Sequence, residues 1–329
     1  MSSTSPGVHL PAEGWLPPFS GATAWLNSEP LTPEDLRGRV VVADFCTYTC
    51  INWLRSLPYV RAWDERYRSD GLVTIGIHTP EFSFERNLDN VRPALEKMRV
   101  TYPVVVDNDY AVWNAFANHY WPALYFADAE GRIRHHRFGE GDYERSEVVI
   151  QQLLGNGGAD VSEAGLVSVD PSGPEVAADW GALNTPETYL GYRQTENFAS
   201  PGGMERDAPK HYEAPQRIRH NHWALSGEWT VMAEATVLNE PKGRVAFRFD
   251  ARDVHLVMGP AGASVPFSVS IDGAPPGADA GSDVDPDGSG ELIEPRMYQL
   301  IRQRGPITDR LFEIEFLDGG AAVYAFTFG

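Results

Sequence analysis

Two cysteines are the only thiols among 329 residues, and they stand four apart, at Cys46 and Cys50. The residues leading to them, Val40 to Phe45, form a continuous apolar run, as expected of a fully buried strand. After Cys50 the chain reads I-N-W-L-R-S-L-P-Y-V, with apolar residues at helical spacing at Ile51, Leu54 and Leu57. Cys50 therefore falls on a strand-to-helix turn. A helix start offers unpaired backbone N–H groups and the positive end of the helix dipole, and both favour thiolate over thiol. A cysteine placed there is expected to be reactive.

The stretch V-x-D-F-x-x-x-x-C at such a turn resembles the thioredoxin-fold signature, and Tyr120-Trp121-Pro122-Ala123 resembles the proline segment that faces the active cysteine in that fold. More narrowly, T-Y-T-C-I-N-x-L-R-x-L-P-Y-V, G-I-H-T-P-E-F, Y-W-P-A and F-G-E-G-D-Y resemble the soluble C-terminal region of DipZ-type proteins, from about Leu16 to Gly329. The resemblance implies a redoxin domain followed by a β-rich module. It also implies a buried acid beneath the thiol, which is Asp44 here. Burial would raise its pKa and suit it to proton movement; a strand-end carboxylate bound to backbone is the alternative. The family pattern C-I-N-C departs at its last position, where Trp53 stands, so C-x-x-C dithiol chemistry is excluded.

Three chemistries remain open for Cys50. In thiol–disulfide exchange Cys50 is the nucleophile and Cys46 an unconventional resolving partner, which needs Cα atoms within about 7 Å and no cofactor. In a copper site, Cys46-x-x-x-Cys50 has the register of the Sco copper proteins, with His119 beside the position of their distant histidine; two thiolates and an imidazole suit Cu(I). In peroxide reduction, Thr47-x-x-Cys50 resembles the T-x-x-C of peroxiredoxins. Against all three stands a redox-inactive domain with two buried thiols, acting as a binding module. Trp53, Tyr120, Trp121 and Pro122 are expected to wall the site and, with Glu81, to meet a substrate. His78 and Phe82 share the G-I-H-T-P-E-F loop with Glu81. A protein or small-molecule thiol or disulfide is the expected partner.

The elements that position these residues follow from patterning. Residues 1–30 are a Pro-, Gly- and Ser-rich lead-in, and 31–155 alternate strands and helices in the thioredoxin-like order. Residues 156–185 form a linker without periodicity. Residues 186–329 alternate apolar and polar positions in short strands, including 229–237, 245–249 and 254–258, which predicts an all-β sandwich of jelly-roll type. Together these predict an α/β thioredoxin-like domain joined to an all-β, carbohydrate-binding-module-like domain. Its aromatic residues, Trp180, Tyr189, Tyr192, Trp223, Trp229 and Tyr298, are candidates for glycan contact, although a sandwich needs most of them in its core.

Asp283, Asp285, Asp287 and Glu294 satisfy the D-x-D-x-D-G-x5-E calcium-loop pattern. Their flanks read as strands, so a calcium-stiffened loop competes with a plain acidic turn. A net charge of −19 argues against nucleic acid or an anionic membrane as partner. There is no apolar run of transmembrane length, and the N-terminus lacks a basic and apolar leader pattern. A cytoplasmic location is the expectation from these features.

Overall fold

The computed structural model describes residues 9–161 and 165–329, which divide into two compact units, Met1–Glu175 and Val176–Gly329. In the first unit the strands are β1 (Gly14–Trp15), β2 (Ala24–Leu26), β3 (Val40–Cys46), β4 (Leu72–His78), β5 (Val104–Val106), β6 (Ala123–Ala127) and β7 (Arg132–Phe138). The helices are α1 (Ile51–Tyr67), α2 (Leu88–Lys97), α3 (Ala111–Ala115) and α4 (Tyr143–Asn156). The sheet runs β1-β7-β6-β3-β4-β5-β2, with β3, β4 and β5 parallel and the other pairs antiparallel.

β3 is central and every one of its residues is buried, because helices cover both faces of this part of the sheet. Alternation then sorts its side chains. Val41, Ala43 and Phe45 enter an aromatic core with Phe19, Trp113 and Phe116. Asp44 and Cys46 point to the other face, against which α1 and α4 pack.

Two features differ from the sequence expectations. The lead-in is structural: its residues supply both edge strands, β1 on β7 and β2 on β5. Strands of two or three residues have too little periodicity to register on their own. Residues 165–175, expected in the linker, belong with the first unit. Val167 N–H donates to the Glu147 carboxylate, and Arg61 meets Glu175 through two bonds of 2.7 and 2.9 Å.

The second unit holds β8 (Thr188–Tyr189), β9 (Pro209–Tyr212), β10 (Trp223–Val231), β11 (Thr236–Leu238), β12 (Gly243–Phe249) and β13 (Asp253–Pro260). It continues with β14 (Val265–Ile271), β15 (Ser289–Leu292), β16 (Arg296–Arg302), β17 (Arg310–Phe316) and β18 (Ala321–Phe328). One antiparallel path, β15-β14-β17-β12-β10-β11-β18-β13-β16, folds over on itself and encloses an apolar core. β10 makes the corner: Trp223 to Ser226 pair with β12, whereas Trp229 to Val231 pair with β11. Gly227 sits at the change with φ +100°, where an L side chain is strained, and a Cβ would lie 3.0 Å from Gly243 Cα. The strand expected over 229–237 is interrupted after Val231, where Met232 N–H bonds Ala235 O and turns the chain. Trp223, Trp229 and Tyr298 are core residues.

Candidate active site

Cys50 is the N-cap of α1, a 17-residue helix, with φ −74° and ψ 115°. It is half-buried, whereas Cys46, at the end of β3, is 1% exposed. Neither cysteine is in a disulfide. Cys50 Sγ lies 4.0 Å from the carbonyl oxygen of Trp121, and the Trp121–Pro122 peptide is cis. Antiparallel pairing sets Ala123 opposite Phe45, so Pro122 falls beside the cysteine end of β3. Trp121 packs on Trp113 at 4.3 Å between ring centroids. Tyr120 is 52% exposed and leans on Phe138 at 5.0 Å.

On the same face of β3 as Cys46 lies a buried acid with an unforeseen partner. Trp53, 1% exposed, donates its indole N–H to Asp44 Oδ2 at 2.9 Å. Burial pushes the Asp44 pKa from 3.8 up to about 7, against the opposing pull of that hydrogen bond. The hydroxyl of Tyr102 opposes the rise as well. Cys46, two residues on and on the same face, has its thiol pKa pushed well up, first by burial and then by the charges of Asp44 and Glu85. Cys46 is thus held as a thiol, and Cys50 is the accessible sulfur.

Glu85 escaped the sequence reading. Fully buried, it accepts from Thr49 Oγ1 at 2.6 Å and from the backbone N–H groups of Glu81 and Phe82 at 2.7 and 2.9 Å. It thereby ties the residue before Cys50 to the loop after β4. The available signal was the acidic residue three after Phe82, the position from which a carboxylate reaches back to a turn's N–H groups. Glu81 contributes its backbone to this knot. His78 pairs in register with Cys46 across β3 and β4 and stacks on Tyr48 at 5.8 Å. Burial lowers its pKa to about 4, so its ring is neutral near pH 7. Arg55 on α1 pairs with Glu140, 3.2 Å away, at side-chain exposures of 2% and 8%.

The family described as "Thioredoxin like C-terminal domain" matches residues 185–329. Protein DipZ of Mycobacterium tuberculosis is 35% identical over 282 residues, 84% of this chain and 39% of that protein. The matched stretch is similar to the thioredoxin-like region of DipZ. The chain thus spans 39% of the length of the DipZ relatives it matches. Thiol-disulfide oxidoreductase YkuV of Bacillus subtilis is 29% identical over 140 residues, 42% of this chain and 93% of that protein. A solution structure of a thioredoxin-like protein in the oxidised form is 28% identical, covering 44% of this chain and 96% of that one, with a TM-score of 0.41.

The expected metal ligands are not brought together. Among the described residues no three His, Cys, Asp or Glu side chains group as a metal ion requires. His119 is exposed on the loop before Tyr120, with its ring against that tyrosine, while Cys46 is enclosed at the end of β3. The acidic segment from Asp283 to Glu294, which contains β15, is wired otherwise. Arg296 donates to Asp283 Oδ1 at 2.7 Å and lies 3.4 Å from Glu294, and Gln299 N–H takes Asp283 Oδ2. Asp287 accepts from Ser289 N–H and Oγ. The segment that carries the calcium pattern is thus braced by Arg296, with Asp285 contributing backbone bonds to Ser289 and Gly288. No helix among the described residues is long and apolar enough to cross a membrane.

Proposed function

We propose that this protein is a thiol–disulfide oxidoreductase in which Cys50 attacks and Cys46 resolves. The observation that carries the reading is the contrast between the sulfurs: Cys50 is accessible, at a helix start and against the Trp121 carbonyl, while Cys46 is enclosed beside a carboxylate. The name of the Bacillus subtilis relative, a thiol-disulfide oxidoreductase, supports the same class.

The Cys50 thiolate attacks one sulfur of a substrate disulfide, forming a mixed disulfide and releasing the other sulfur as thiolate. Cys46 then gives its proton to Asp44, whose pKa of about 7 suits it to accept one. The resulting thiolate attacks Cys50 Sγ and expels the reduced substrate, leaving a Cys46–Cys50 disulfide. A dithiol donor restores both thiols by the reverse exchange. Trp53 fills the space of the cysteine that C-x-x-C proteins use, and its indole keeps Asp44 oriented. Tyr120 and Trp121 offer aromatic surface beside the attacking sulfur.

The test is reduction of a small disulfide or of insulin with dithiothreitol as electron donor. Wild type turns over and Cys50→Ser does not, and Cys46→Ser mixed with the disulfide substrate in the absence of dithiothreitol accumulates a mixed disulfide at Cys50 that mass spectrometry detects. Wild-type protein that reduces neither substrate overturns the assignment.

A further inference from the structure

A cationic cavity in the second unit lies outside the redox chemistry. It has a volume of about 500 Å³ and is lined by Arg217, Ile218, Arg219, His220, Arg248 and Asp309. That volume is in the range of small-molecule sites. Three arginines around one cavity are conspicuous in a chain of net charge −19.

Local structure explains why they converge. Ile218 is 6% exposed and packs with Ala224 and Ala246, pinning the segment between β9 and β10 to the sheet. Its neighbours Arg217 and Arg219 are left exposed, and both line the cavity. Arg248, on β12, is fixed from behind: its Nε donates to the Asp309 carboxylate at 3.0 Å. His220 Nδ1 lies 3.7 Å from the same carboxylate. Asp309 is the one acid of the lining and is already engaged by Arg248. Arg217 and Arg219 have no side-chain hydrogen bond or ion pair among the described residues. Guanidinium groups present planar forks of N–H donors that match phosphate oxygens. Two unpaired ones facing a third held in place leave the cavity with uncompensated positive charge.

We infer that this cavity binds a compact dianion, a phosphate group either free or as the ester of a small molecule, through Arg217, Arg219 and Arg248. The site is independent of Cys50, so the redox reading can fail without affecting it.

The experiment is calorimetric titration of the full chain with inorganic phosphate and, separately, with glucose 6-phosphate at constant ionic strength. Glucose serves as the neutral control. The expected result is saturable one-to-one binding of phosphate, weakened about tenfold by Arg219→Gln, as loss of one charge-assisted pair implies. Arg217→Glu with Arg219→Glu abolishes it. Both substitutions are at exposed positions, and circular dichroism checks that each variant is folded. Tighter binding of the sugar ester assigns the site to an ester, and equal binding assigns it to the free anion. The inference is overturned if neither phosphate compound binds, if glucose binds as well as its phosphate, or if folded variants bind like wild type.

Discussion

The buried carboxylate of Asp44 makes a quantitative demand on stability. Its pKa rises from 3.8 to about 7 on folding, so the native state holds this proton more tightly than the unfolded chain does. Below pH 4 both states are protonated and the group contributes nothing to the difference. As pH rises from about 4 to about 7, the unfolded chain ionises first and the native state loses stability. Above 7 the loss is complete. A shift of roughly three pH units, at about 1.4 kcal/mol each, amounts to about 4 kcal/mol. Asp44→Asn removes the titration and keeps an oxygen that can accept the Trp53 indole N–H. The variant is therefore expected to gain on wild type by up to about 4 kcal/mol between pH 4 and pH 8. Urea denaturation of both proteins at several pH values measures this, and the difference between them cancels titrations they share, including that of His78. A difference that stays constant from pH 4 to pH 8 refutes a raised Asp44 pKa. If Asp44 accepts the Cys46 proton, the same variant also slows disulfide turnover while leaving attack by Cys50 intact. A rapid alkylation assay of Cys50 separates those steps.

Glu140→Ala removes the carboxylate that pairs with the buried Arg55 guanidinium, with an expected cost of about 3–5 kcal/mol in urea denaturation. Glu85→Gln replaces an oxygen that accepts from Thr49 or from the Glu81 and Phe82 N–H groups by a second donor. A loss of about 1–3 kcal/mol is expected, with faster amide exchange at residues 81 and 82. His78 acts in the opposite pH direction from Asp44. Its pKa falls from 6.5 to about 4 on folding, so stability is full above about 6.5 and is lost as pH falls towards 4; His78→Phe flattens the acid limb of the stability profile. Because Arg296 engages Asp283 and Glu294, millimolar calcium should leave the Tm of wild type unchanged, as thermal unfolding with and without calcium would show.

The amino-acid sequence by itself determined the strand, turn and helix around Cys50, because an apolar run followed by helical spacing is local information. It also determined the change to short alternating strands in the second half, and that Trp53 replaces a cysteine. Tertiary structure alone decided what Trp53 does there. Its bond to Asp44 depends on α1 lying on the Asp44 face of β3, which the helix pattern does not encode. Glu85 reaches Thr49 across 36 residues, and the lead-in reaches both sheet edges. The acidic segment shows the limit from the other side: its four acids fit a calcium pattern by spacing, yet Arg296 from the next strand occupies two of them. Arg217, Arg219 and Arg248 likewise meet only because Ile218 anchors its loop beside β12. Spacing along the chain governs what neighbours can do together; which distant charges and donors arrive beside them is set by sheet order and helix packing.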